Sequence, residues 1–100
     1  DRNSHVWHVY AVRVRERDRL RAQLAEAGIS TGIHYPSPVH LQPAYAGLGY
    51  RRGDFPLAEQ LAEQMFSLPM FPELTRAQIE RVSAALSTLL PNNSARVVAA

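Results

Sequence analysis

One hundred residues, 46% of them apolar, suffice for a single domain that buries its own core, and this composition argues against a disordered chain. There is no cysteine, which excludes disulfides, iron–sulfur clusters and thiolate zinc sites. All eleven basic residues are arginine and none is lysine; against nine acidic residues they leave a net charge of only +2, too little for a strong positive field.

His5 to Val14, rich in β-branched and aromatic residues, predicts a strand with apolar groups on both faces, covered on both sides for part of its length. Asp18 to Ala27 then turns helical, with Leu20, Leu24 and Ala27 at spacings of four and three. Gly28 stands where a helix end favours a residue that tolerates positive φ. Arg13, Arg15, Arg17, Arg19 and Arg21 cluster here, but Glu16, Asp18 and Glu26 lie among or beside them. That reads as a solvated strand end and helix start rather than a nucleic-acid patch.

Thr31 to Tyr35 reads as a short strand, stopped by Pro36 and Pro38, which lack a ladder donor. Gln42 to Leu48 suits one or two helical turns, and "GYRRGD" a turn. Asp54 is the expected N-cap of the next helix, with Pro56 in its first turn and Leu57, Leu61 and Met65 along one face. "FSLPMFP" reads as a final short strand. Thr75 and Gln78 fit a capping box ahead of a stripe formed by Ile79, Val82, Leu86 and Leu89. Pro91 ends that helix, and residues 91–100 are expected to be a flexible tail. The sum is an α+β domain over residues 3–90, a small, mostly antiparallel sheet of about three strands covered by helices.

The candidate chemistry is sparse. His5, His8, His34 and His40 are the strong nitrogen ligands, but a strand sends His5 and His8 to opposite faces. No acid lies near His34 or His40 in sequence, so no metal site is expected. Ser30, Ser37 and Ser67 sit in no nucleophile elbow, and "GLGYRRG" lacks the lysine of a phosphate loop. Glu59, Glu63, Glu73 and Glu80 read as a solvated face. No nucleic-acid partner is expected, because the arginines are balanced and no aromatic stacking platform is evident. No run approaches the roughly 18 apolar residues that span a bilayer, and "DRNSHVWHVY" lacks a signal-peptide layout, so the expectation is a cytoplasmic protein without a membrane partner.

"TGIHYPSPVH" leaves two readings open. It is a proline-stiffened connection that satisfies His34 and Tyr35 locally, or one wall of a binding site. In the second case the prolines hold neighbouring side chains at little entropic cost. Imidazole and phenol suit sugar hydroxyls or phosphate oxygens.

The run from Gly28 to His40, "GISTGIHYPSPVH", followed in order by "LQPAY", "GDFPLAE", "SLPMFPELT" and "QIERV", resembles the C-terminal small domain of DegT/StrS-type sugar aminotransferases. "HVWHVYAVRV" is similar to the strand that opens that domain, so the resemblance covers Asn3 to about Leu90. It implies a fold-type I enzyme dependent on pyridoxal 5'-phosphate, usually a homodimer. Such enzymes move an amino group from glutamate or glutamine to a nucleotide-linked keto-sugar, for cell-surface polysaccharides or aminosugar antibiotics. The large N-terminal domain of such an enzyme carries the Schiff-base lysine and most of the phosphate cradle.

By that resemblance His34 and Tyr35 are the expected substrate-binding residues, with His40 a third that braces the loop. Without lysine the chain has no side-chain amine to hold the cofactor, so no catalytic or cofactor-binding residue and no covalently bound cofactor is expected in it. The implied partners are the large domain, the nucleotide-sugar and a second subunit. The chain then reads as a detached domain, a fragment or split gene product, with an apolar patch where the large domain packs. The alternative is a free-standing α+β binding or regulatory module without catalysis.

Overall fold

The computed structural model describes Val6, residues 8–90 and residues 95–96. His5 and Trp7 of the expected first strand, and most of the expected tail, lie outside those residues. The first strand, β1 (Tyr10–Val14), begins later than His5 among them. It pairs antiparallel with β2 (Met65–Leu68), Ala11 facing Ser67 and Val12 facing Phe66. On its other edge it meets the two-residue β3 (Ala95–Arg96), giving the order β2-β1-β3.

Strand alternation sorts the two faces. Val12, Val14 and Phe66 point to one side, where they join Leu20, Leu24 and Ile29 in the buried core. Helices α1 (Arg17–Glu26) and α3 (Arg76–Leu89) supply that side, α3 through Val82, Ala85, Leu86 and Leu89. Ala11, Arg13 and Ser67 point to the other, toward α2 (Pro56–Gln64) and the segment that precedes it. The expected two-sided cover of the first strand is therefore present.

Helix ends follow local chemistry. Gly28, at φ 75°, donates to the Ala25 carbonyl at 2.9 Å, and Ile29 N–H donates to Leu24 at 2.8 Å. This pairing closes α1 and turns Ile29 into the core. Thr75 and Gln78 form the expected reciprocal box at the start of α3. At α2 the cap differs from expectation: Phe55 occupies the N-cap position, with Pro56 first in the helix. Asp54 is spent on its own turn, its carboxylate accepting the Arg51 N–H at 2.8 Å.

Three other expectations change. The strand at Thr31–Tyr35 shrinks to one bridge, Gly32 with Ser67, because the prolines that follow cannot extend a ladder. Met65 opens β2 instead of lining the α2 face. The arginine cluster is only partly solvated. Arg13 bonds Gln64 at 2.7 Å and Gln60 at 2.8 Å, Arg17 reaches the Ala62 carbonyl, and Arg21 holds Thr31 through its hydroxyl and carbonyl at 3.0 and 3.1 Å. Guanidinium forks thus tie β1 and α1 to α2 and to the start of the "TGIHYP" segment. Arg15 and Arg19 remain at the surface. None of the helices formed by the described residues is long and apolar enough to cross a membrane.

Candidate functional site: an aromatic groove over α2

Residues 32–55 wrap across α2 and the side of β2 that carries Ser67. Two short 3-10 turns, Val39–Leu41 and Pro43–Leu48, shape this wrap, and Gly49 at φ 78° ends the second. Between the wrap and the helix lies a groove of about 640 Å³, its wall almost wholly apolar. His34, Tyr35 and His40 all line it, together with Tyr45, Tyr50 and Phe55. The three residues singled out from sequence therefore share one cavity wall, although 33 and 19 residues separate His34 and His40 from the side chains that hold them.

Each is held differently. His34 Nδ1 lies 2.8 Å from the Ser67 hydroxyl on β2. Its ring crosses Gly32 so closely that a Cβ there would stand 2.7 Å from His34 Cε1. Tyr35 packs edge-on against His34, with centroids 5.6 Å apart, and is 72% exposed. The peptide bond between these two residues is cis. His40 is withdrawn: its Nε2 sits 3.1 Å from Glu59 Oε1 with only 8% of the side chain exposed. Its ring stacks edge-on with Phe55 at 4.8 Å, and Phe55 with Tyr50 at 5.2 Å. His34 and Tyr35 present polar edges beside an aromatic wall, while His40 braces that wall from behind.

Glu59 is the residue that sequence pattern assigned wrongly. Instead of joining a solvated face it is buried at 9% exposure, and its Oε1 also accepts the Gly53 N–H at 2.7 Å. That backbone bond, followed by the His40 bond, holds the Glu59 carboxyl below its ordinary range despite burial, which pushes the other way. A carboxylate on the first turn of α2, three residues after a helix-opening proline and six after Gly53, was the available signal. Among the described residues no group of three or more histidines and acids is placed to hold a metal ion.

The chain is similar to known proteins over most of its length. A 51% identical relative, the dTDP-3-amino-3,4,6-trideoxy-alpha-D-glucose transaminase of Streptomyces venezuelae, aligns over 81% of this chain and 21% of its own length. The "Pleiotropic regulatory protein" of Geobacillus stearothermophilus is 50% identical over 82% of this chain and 22% of its own length. The crystal structure of S. venezuelae DesV superimposes with a TM-score of 0.81 at 48% identity, covering 86% of this chain and 23% of that one. The chain thus spans about a fifth of the proteins it matches. The model of the DegT/DnrJ/EryC1/StrS aminotransferase family matches residues 1–87, and the chain belongs to that family.

Proposed function

We propose that these residues are the C-terminal small domain of a pyridoxal-phosphate-dependent aminotransferase that acts on a nucleotide-linked keto-sugar, with glutamate or glutamine as donor. The observation that carries this reading is the gathering of His34 and Tyr35, from the motif run Gly28–His40, onto the wall of one groove. Relatives named as dTDP-sugar transaminases supply the substrate class.

The chain's own residues do not fit the cofactor. It has no lysine for the covalent link, and its groove wall is apolar and aromatic where a phosphate would need converging donors. The cofactor is therefore assigned to the large N-terminal domain, and this chain to binding and orienting the sugar. The working assembly is a cytoplasmic homodimer of two-domain subunits. His34 and Tyr35 offer hydrogen bonds to sugar or phosphate oxygens, and the aromatic wall excludes water from one side.

The test is His34→Ala in the full-length enzyme. Loss of one hydrogen bond to substrate raises KM for the nucleotide-sugar by about three- to tenfold and leaves the melting temperature near that of the parent. Unchanged steady-state kinetics overturns the assignment. The second reading, a regulatory module without catalysis, draws on the relative named a pleiotropic regulatory protein. It requires that the protein bind its ligand with no cofactor present and with no large domain attached.

A further inference from the structure

We propose that Ser67 is a positioning residue that fixes the His34 ring as a hydrogen-bond donor toward substrate. The proposal deepens the reading of His34 as a substrate contact and rests on it.

Ser67 is 5% exposed, and its backbone is fully occupied: its N–H donates to Gly32 at 2.8 Å, and its carbonyl accepts from Gly32 at 3.1 Å. Its hydroxyl has one partner among the described residues, His34 Nδ1 at 2.8 Å. A buried hydroxyl proton needs an acceptor, and a neutral imidazole offers one only at its unprotonated nitrogen. Ser67 O–H therefore donates to Nδ1, and the imidazole proton resides on Nε2. That second nitrogen has no partner among the described residues, on a ring that lines the groove. Gly32 completes the seat, because any Cβ there would collide with Cε1. A strand hydroxyl and a missing side chain together determine which edge of His34 remains available. That edge carries a donor, so its partner is an acceptor oxygen of the nucleotide-sugar, either on the sugar or on a phosphoryl group.

The test is a long-range proton–nitrogen correlation spectrum of the 100-residue chain, labelled at histidine and recorded at a pH about two units above the ordinary imidazole value. His34 is assigned through its absence in His34→Gln. The wild-type chain is expected to show a single tautomer with the proton on Nε2. Ser67→Ala and Gly32→Ala are expected to lose that pattern to the exchange-averaged one of a free ring, while the amide signals of β1 and β2 persist. An averaged or Nδ1-protonated wild-type ring overturns the proposal. So does an unchanged His34 pattern in a folded Ser67→Ala chain.

Titration of the full-length enzyme with dTDP and with dTDP-glucose separates the sources of the oxygen. Perturbation of Nε2 by both assigns a phosphoryl oxygen, and by dTDP-glucose alone a sugar oxygen. Perturbation by neither overturns His34 as a substrate contact, a failure distinct from that of the tautomer lock.

Discussion

The Glu59 carboxylate holds the His40 imidazole at 3.1 Å, with both side chains nearly withdrawn from water. The same oxygen takes the Gly53 N–H at 2.7 Å. One acid on α2 thus clasps the wrap at two points 13 positions apart, His40 near its middle and Gly53 near its end. Phe55 and Tyr50 stack outward from His40, so the aromatic wall depends on this clasp.

The clasp carries a pH signature. Folding lowers the Glu59 carboxyl below its ordinary value of 4.5, chiefly through the Gly53 N–H and next through His40. A group lowered by folding stabilises the fold above its unfolded value and loses that contribution as the pH falls through its folded value. Glu59→Gln should therefore melt below wild type at neutral pH, with the gap narrowing as the pH drops below about 4.5. Asp18, lowered mainly by Arg17, titrates in the same direction in both proteins and does not affect their difference. Thermal melts across that range check this, and a gap independent of pH counts against it.

Thr75→Ala should destabilise the domain by about 1 kcal/mol. The hydroxyl accepts the Gln78 N–H at 3.3 Å and donates to Gln78 Oε1 at 3.0 Å, while Gln78 Oε1 accepts the Thr75 N–H at 2.8 Å, so the substitution removes the two bonds of the hydroxyl and leaves the third. Gln78→Ala should remove the two bonds of Oε1 at smaller cost. Chemical denaturation of both variants and the double variant measures the coupling. Both single variants lose the bond between hydroxyl and Oε1, so the double loss should fall short of the sum, and strictly additive losses would show that this shared bond contributes nothing.

That box was legible because it is local: two residues three apart and an apolar stripe behind them specify it without tertiary contacts. The Gly28 helix end and the Leu20 and Leu24 core positions were legible for the same reason. Glu59 was not. Its neighbours Leu57 and Leu61 predict an amphipathic helix with Glu59 outward, and only the return of residues 40–53 over α2 makes its position an interior one. The arginines failed similarly, since alternation puts Arg13 on a face but cannot reveal Gln60 and Gln64 some fifty residues away. His34 and Tyr35 emerged from their proline setting and from the motif run, whereas the hold of Ser67 on His34 depends on a bridge that only the folded sheet creates.

Phe66→Ala should cost about 3 to 5 kcal/mol, a large share of the roughly 5 to 15 kcal/mol that holds a domain of this size. Phe66 is 1% exposed and faces Val12 across the strand pair, at the centre of the cluster that α1 and α3 cover. Leu57→Ala is the control: at 63% exposure on α2 it should change stability by no more than about 0.5 kcal/mol. Urea midpoints measure both. Equal losses would mean that α2 buries Leu57 against something in solution, such as a second copy.

Incubation with pyridoxal phosphate, followed by removal of the excess, should leave this chain without an absorbance band at the visible edge. The cofactor forms a lasting imine only with an unprotonated amine in a site that shields it. This sequence offers guanidinium groups, which stay protonated at any working pH, and no lysine. The α-amine of the tested polypeptide is the one other amine, so borohydride trapping and peptide mapping distinguish its product from any attachment along the chain. A band that survives removal of the excess and maps elsewhere would overturn the division of labour proposed above. Its absence, together with a band that appears when the large domain is supplied in trans, would assign the cofactor-holding amine to that domain.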